Sequence, residues 1–337
     1  MRIGIIGTGR MGRFHAETLR RHPSVSDLRL WDQDERLLHE VAESLEAGPA
    51  RSAADLVAGG LDALVIAAST DAQAASLALA ARHGVPTFCE KPVGTSAAAA
   101  RAAVAGHTRA GIPLQIGYQR RFDPAYRDLR DLLLARKLGQ LYSARMWSLD
   151  AVPPSDDYLA RSGGIFRDLH VHDFDLISWL TGHAVATVHA VGTNRVPGGP
   201  RPVPGDYDTT ALLLQMADGM PVAISGSRHN PLGYDSRVEV TGSADSVSAG
   251  SDDRVPLRPV EGRPDEGRPD EGRASRHQGF IDRFEAAYRE EMDAFLAFAG
   301  RGGESPCPAE AALRALLVAE AARESAARGV PVTVAAP

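Results

Sequence analysis

The stretch RIGIIGTGRMG, residues 2–12, runs from apolar residues straight into three spaced glycines. The apolar run reads as a short buried strand, and the glycines follow the pattern G-x-G-x-x-G at its end. Each glycine has a separate physical job in a strand-turn-helix. Gly7 permits the tight turn, Gly9 lets a pyrophosphate approach the backbone, and Gly12 lets the following helix pack closely on the sheet. The helix that opens here points its unpaired N–H groups and positive dipole end at the turn, where Arg10 and Met11 also lie. Asp32 ends the next apolar run, LRLWD, twenty residues beyond Gly12. A carboxylate there accepts hydrogen bonds from ribose hydroxyls and repels a 2′-phosphate, which predicts NAD. Arg10 and Arg36 keep NADP open, since a nearby arginine can accommodate a phosphate.

Working outward, strand-like runs alternate with helical ones. Strands are expected at 2–7, 28–32, 62–69, 86–92 and 113–119, with helices at 12–21, 35–45, 71–84 and about 96–110. This spacing predicts an α/β Rossmann domain with a parallel, doubly wound sheet over residues 1–121. After Arg121 the pattern changes. A helix is expected over 123–137, followed by LYSARMWSLD, ATVHAVGTNRV, DTTALLLQM, MPVAISGSRH and SRVEVTGS, several joined by Gly-, Pro- or Asp-containing turns. Residues 122–337 therefore read as an α+β domain with a broad, mostly antiparallel open sheet. EGRPDEGRPDEGR, 261–273, repeats a five-residue unit with nothing to bury and is expected to be a solvated loop. Two helical stretches, around 280–299 and 308–328, are expected to pack back on the body.

Composition narrows the function. A formal net charge of −6 argues against a general nucleic-acid binder. Two distant cysteines, Cys89 and Cys307, predict neither a disulfide framework nor a cysteine zinc site. The first residues enter a strand with no leader pattern, and the most apolar later window is broken by Asp71 and Gln73. A cytoplasmic protein that does not enter a membrane is expected.

In doubly wound sheets, ligands bind at the carboxyl ends of the strands. Ser69 and Glu90 stand at two such ends and join the candidate cofactor set. Lys91, in EKP, stands beside Glu90 and is expected to contact both cofactor and substrate. Its amine can hydrogen-bond a substrate oxygen, and burial beside a cationic nicotinamide would suit it to proton transfer. GGIFRDLHVHDFD, 163–175, concentrates two histidines and three aspartates. On one helix, Asp168 and His172 lie four apart on one face, while His170 projects elsewhere. A strand would instead put His170 and His172 together as metal ligands. The two glycines and the helical spacing favour the helix, so no metal is expected.

GTGRMGRFHA, then EKP, then a Gly-Gly segment leading to D-x-x-x-H resemble the Gfo/Idh/MocA oxidoreductases over nearly the whole chain. IGYQRRFDPAY, SGGIFRDLHVHDFD and GYDSRVEVTGS are similar to stretches in the family's inositol-oxidising members. The resemblance implies oxidation of a secondary hydroxyl of a cyclic polyol or sugar to a ketone by hydride transfer to NAD, on a substrate held between the domains. It implies Lys91 at the reacting hydroxyl, His172 as the acid-base group, Asp168 orienting it or the substrate, and Arg120 as a further substrate contact. Which of Lys91 and His172 takes the proton stays open. His170 departs from the inositol enzymes, and a packed or exposed side chain is the reading favoured over a substrate contact. Asp173 and Asp175 are expected to be capping or structural partners. The family also implies a homodimer or homotetramer formed on the open sheet face. Two alternatives stand beside this reading. One is a sugar dehydrogenase or reductase, its substrate set by residues such as Asp150, Tyr234 and Asp235. The other is a sensor that binds dinucleotide without turnover, against which the presence of Lys91 and His172 argues.

Overall fold

The computed structural model describes residues 1–196, 205–250 and 277–336, so the EGRPD repeat lies outside the described residues. The chain divides into two compact units, the first made of 1–122 with 286–316, the second of 123–285 with 317–336.

The first unit begins with β1 (Arg2–Ile6), α1 (Arg10–Arg20), β2 (Asp27–Trp31), α2 (Glu35–Ser44), β3 (Gly48–Pro49) and α3 (Ala53–Ala58). It continues with β4 (Ala63–Ile66), α4 (Thr70–Arg82), β5 (Thr87–Glu90), α5 (Ala97–Ala110) and β6 (Leu114–Gly117). The six strands are parallel in the order β3-β2-β1-β4-β5-β6. Strand order reverses between β1 and β4, the place where such sheets open a crevice at their carboxyl ends. Helices start where side chains can cap them: Asp34, Ser52 and Ser96 each accept a hydrogen bond from the N–H three residues on. The short elements β3 and α3 carry too little periodicity to be read from sequence.

The second unit contains α6 (Pro124–Leu134), β7 (Leu141–Leu149), α7 (Asp156–Ser162), α8 (Ile165–Asp168), α9 (Val171–Thr181) and β8 (Val185–Thr193). Then come β9 (Thr209–Met216), β10 (Pro221–Ser227), β11 (Asp235–Gly242) and β12 (Ser246–Ala249). The chain ends with α10 (Phe280–Arg301), α11 (Ala309–Arg328) and β13 (Val332–Thr333). The seven-stranded sheet runs β12-β11-β7-β10-β9-β8-β13 and is antiparallel except between β7 and β10. Alternation gives it two unlike faces. Val188, Ala190, Leu212, Leu214, Val222 and Ile224 are buried on one. Val191 and Leu213 project from the other at about 60% exposure, beside exposed polar residues such as Thr193 and Gln215.

The sequence pattern placed both terminal helices in the second domain. In the structure, residues 286–316 belong to the first unit. Met292, Phe295, Leu296 and Phe298 of α10 share one core with Ile3, Ile5, Leu30, Val65 and Phe88. A backbone kink at Phe284 (φ −115°, ψ 18°) marks where α10 passes from one unit to the other.

Candidate active site

The glycine turn is built as its spacing predicts. Gly7 sits at φ +94°, a conformation L side chains rarely adopt, and a Cβ there would reach the Ala67–Ala68 backbone at 2.7 Å. A Cβ at Gly12 would run into the Gly7 carbonyl, so helix α1 can close on the turn only with glycine. At Gly9 a Cβ would meet nothing within 4 Å. That open space over the N-terminus of α1 is what a pyrophosphate needs, with exposed Arg10 and half-buried Met11 flanking it. Asp32 follows β2 and is tied to the turn: its Oδ2 accepts from the Thr8 N–H (2.6 Å) and hydroxyl (3.1 Å), its Oδ1 from the Asp34 N–H (2.9 Å). A carboxylate offers about four acceptor positions, so capacity remains for a ribose hydroxyl. Ser69 stands at the N-terminus of α4 just beyond β4, exposed at the carboxyl edge of the sheet. The residues present therefore fit a dinucleotide.

Glu90 ends β5 and Lys91 follows it, half-buried. The Glu90 carboxylate is buried and held on both oxygens: His15 Nε2 lies 2.6 Å from Oε1, and the Lys91 N–H donates to Oε2 at 3.2 Å. The Gln73 amide donates to the Glu90 carbonyl at 2.9 Å. His15 comes from the second turn of α1 and is fully buried among Phe14, Phe88 and Tyr288. The Glu90 side chain thus turns inward and fixes the backbone that carries Lys91. Arg120 lies in a short 3-10 turn after β6 (Gln119–Phe122) and is 2% exposed.

In the second unit the predicted helix over the D-x-x-x-H stretch is broken. The His172 N–H bonds to the Leu169 carbonyl (3.3 Å), not to that of Asp168, and the His170 N–H reaches back to Ile165 (3.1 Å). Asp168 thus closes α8 and His172 stands in the first turn of α9. At the break stands His170, whose side chain is completely buried. Its Nδ1 lies 2.7 Å from Asp173 Oδ2 and its Nε2 2.7 Å from Thr210 Oγ1. The Ser148 hydroxyl donates to the other oxygen of Asp173 at 2.6 Å, and Phe166 and Phe174 flank the imidazole. Both ring nitrogens are thereby engaged, which removes His170 as a metal ligand and as a substrate contact. Asp173 is the structural partner expected of it.

Asp168 is 12% exposed at its side chain and accepts from the Tyr158 hydroxyl (2.7 Å, Oδ1) and from Arg228 (3.1 Å, Oδ2). Arg228, at the end of β10, is 2% exposed and also reaches Asp206 at 3.5 Å. His172 is buried at 9% exposure. Sequence reasoning missed His15, Tyr158, Asp206 and Arg228. Their partners are 10 to 75 positions away, so no local pattern could reveal them. Of the residues thought to set the substrate, Tyr234 and Asp235 are buried; Asp235 Oδ1 pairs with Arg237 at 2.8 Å, and its buried Oδ2 has no hydrogen-bond partner among the described residues.

A parallel doubly wound sheet, a glycine turn open to a phosphate and an acid tied to that turn define a dinucleotide-binding dehydrogenase fold. Residues 1–118 match the family model described as "Oxidoreductase family, NAD-binding Rossmann fold", and residues 126–248 match the "GFO/IDH/MocA C-terminal domain". The chain is 35% identical to myo-inositol dehydrogenase Hyg17 of Streptomyces leeuwenhoekii, over 98% of this chain and 99% of that protein. A crystal structure of a myo-inositol dehydrogenase from Corynebacterium glutamicum superposes with a TM-score of 0.88 at 29% identity, covering 100% of this chain and 99% of the other. The Lactobacillus casei scyllo-inositol dehydrogenase with bound NAD(H) and scyllo-inositol superposes at 0.84 with 25% identity, covering 100% and 99%. The protein belongs to the Gfo/Idh/MocA oxidoreductase family.

Proposed function

We propose that the protein is an NAD-dependent dehydrogenase that oxidises a secondary hydroxyl of an inositol-type cyclic polyol to the ketone. The observation that carries this reading is likeness along essentially the whole chain to inositol dehydrogenases, with Lys91, Asp168 and His172 all present. Bound NAD supplies the hydride acceptor. The chain supplies binding, orientation and a proton route. Gly7, Gly9, Gly12, Arg10 and Met11 form the phosphate turn, with Asp32 on the ribose and Ser69 at the neighbouring strand end. Lys91 hydrogen-bonds the reacting hydroxyl, Asp168 accepts from a substrate hydroxyl, and His172 holds the departing proton, alone or with Lys91. Arg120 adds a substrate contact. Asp32 favours NAD over NADP because a carboxylate repels a 2′-phosphate.

Among the described residues no helix is long and apolar enough to cross a membrane. Cys89 and Cys307 are both buried free thiols, which suits the reducing cytoplasm we assign to the protein. The open sheet face with Val191 and Leu213 is our assigned surface for a homodimer or homotetramer.

The test is a reduction screen: purified protein with NAD, and separately NADP, against myo-inositol, scyllo-inositol, glucose and xylose at mildly alkaline pH. NADH formed with an inositol supports the reading. NADH formed only with a sugar moves the substrate and keeps the mechanism. Measurable NAD binding with no turnover across the panel overturns the enzyme assignment in favour of a dinucleotide sensor.

A further inference from the structure

We propose that Arg228 is a positioning residue that aims the Asp168 carboxylate at substrate and restricts it to accepting hydrogen bonds. The proposal rests on the reading that Asp168 meets the substrate. It divides the labour of the site by leaving proton transfer to Lys91 and His172.

Three observations carry it. The two glycines before α8 adopt φ +80° and +88°, and a Cβ on Gly164 would press to 3.0 Å from Asp206 Oδ1. Glycine therefore lets α8 start directly on Asp206, whose Oδ1 accepts the N–H of Ile165 at 2.7 Å and of Tyr207 at 2.8 Å. Second, the guanidinium of Arg228 runs the length of that single turn, from Asp206 (3.5 Å) at its start to Asp168 (3.1 Å) at its end. Arg228 is itself anchored by its N–H on the Asp208 carbonyl at 2.8 Å. Third, the hydroxyl of Tyr158 from α7 donates to the remaining oxygen of Asp168 at 2.7 Å. Arginine has donors only, so both oxygens of Asp168 face donors. A proton on Oδ2 would face the guanidinium, and one on Oδ1 would require the Tyr158 hydroxyl to turn and accept instead. The carboxylate keeps a partly exposed edge, 12% of its side chain, and offers only lone pairs there. An acceptor held on two sides selects a substrate by the direction of its hydroxyl.

Steady-state kinetics of the full chain with NAD and myo-inositol, or the panel polyol turned over fastest, test this. Arg228→Met is expected to lower kcat/KM for polyol about tenfold or more, chiefly through KM, with KM for NAD unchanged. Arg228→Lys should restore part of the loss. Asp168→Asn should cost at least as much, and the double variant should be no worse than the worse single, because Arg228 acts through Asp168. Losses that multiply in the double variant, or a matching rise in KM for NAD, overturn the proposal. If Arg228→Met does not fold, Tyr158→Phe, at a surface residue, is read in the wild-type and Asp168→Asn backgrounds. A loss of a few-fold in the first and none in the second supports the proposal, and equal losses overturn it. Asp168→Asn with wild-type kcat/KM sinks the site reading, and the proposal with it.

Discussion

Lys91 and Asp32 do different work, and single substitutions separate them. Lys91→Ala removes the amine and leaves the glycine turn intact. NAD affinity, read by cofactor fluorescence or calorimetry, should stay within a few-fold of wild type while turnover drops by at least about a hundredfold. Retained turnover would disprove the role given to Lys91. Asp32→Ser removes the charge that repels a 2′-phosphate, and the ratio of kcat/KM for NAD to that for NADP should fall about tenfold or more. The residues most legible in sequence were those whose role is a backbone shape, Gly7, Gly9 and Gly12. His15 was not legible, since the glutamate it bonds lies 75 residues away. Nor was the inward turn of Glu90.

At the level of elements, the joint between α8 and α9 shows where helical spacing stops being a guide. Residues 165–180 have a helical pattern, and the chain stays right-handed through Leu169 and His170. The hydrogen bonds nevertheless slip there, at a buried imidazole that bridges Asp173 of α9 and Thr210 of β9. That bridge leaves room for nothing larger than glycine on β10, since a Cβ on Gly226 would overlap the His170 ring. Gly226→Ala should destabilise the protein by about 1–3 kcal/mol, seen as a lower denaturant midpoint. An unchanged midpoint would show that the ring has somewhere to move. Strands β7 to β11 were legible because alternation survives in them, whereas two-residue β3 and β13 carry no pattern to read.

Across the whole molecule, burial decides how the protein responds to acid and to thiol reagents. His107 is 1% exposed, and its Nε2 lies 3.1 Å from the Thr87 hydroxyl. Burial lowers its pKa from 6.5 to about 4. On acidification the unfolded chain therefore takes up this proton before the folded one does. The stabilisation is complete above pH 6.5 and is lost as pH falls toward and through about 4, at no more than about 1.4 kcal/mol per pH unit. Chemical denaturation across that window should give a shallower slope for His107→Gln than for wild type, and equal slopes would rule the assignment out. Cys89 is wholly buried, which pushes its thiol far above the ordinary range, with the Glu90 charge adding to the effect. A thiol reagent should label neither Cys89 nor Cys307 in the native protein and both in denaturant.

The first unit is not finished when its last strand has been made. Met292, Phe295 and Phe298 complete the core that Ile3 and Phe88 begin, and the second unit's sequence from 123 to 285 lies between them. During synthesis the nucleotide-binding half must therefore wait, with an oily face uncovered, while the ribosome makes the greater part of another unit. Apolar surface left uncovered in that interval is the kind that makes a partly made chain prone to aggregate.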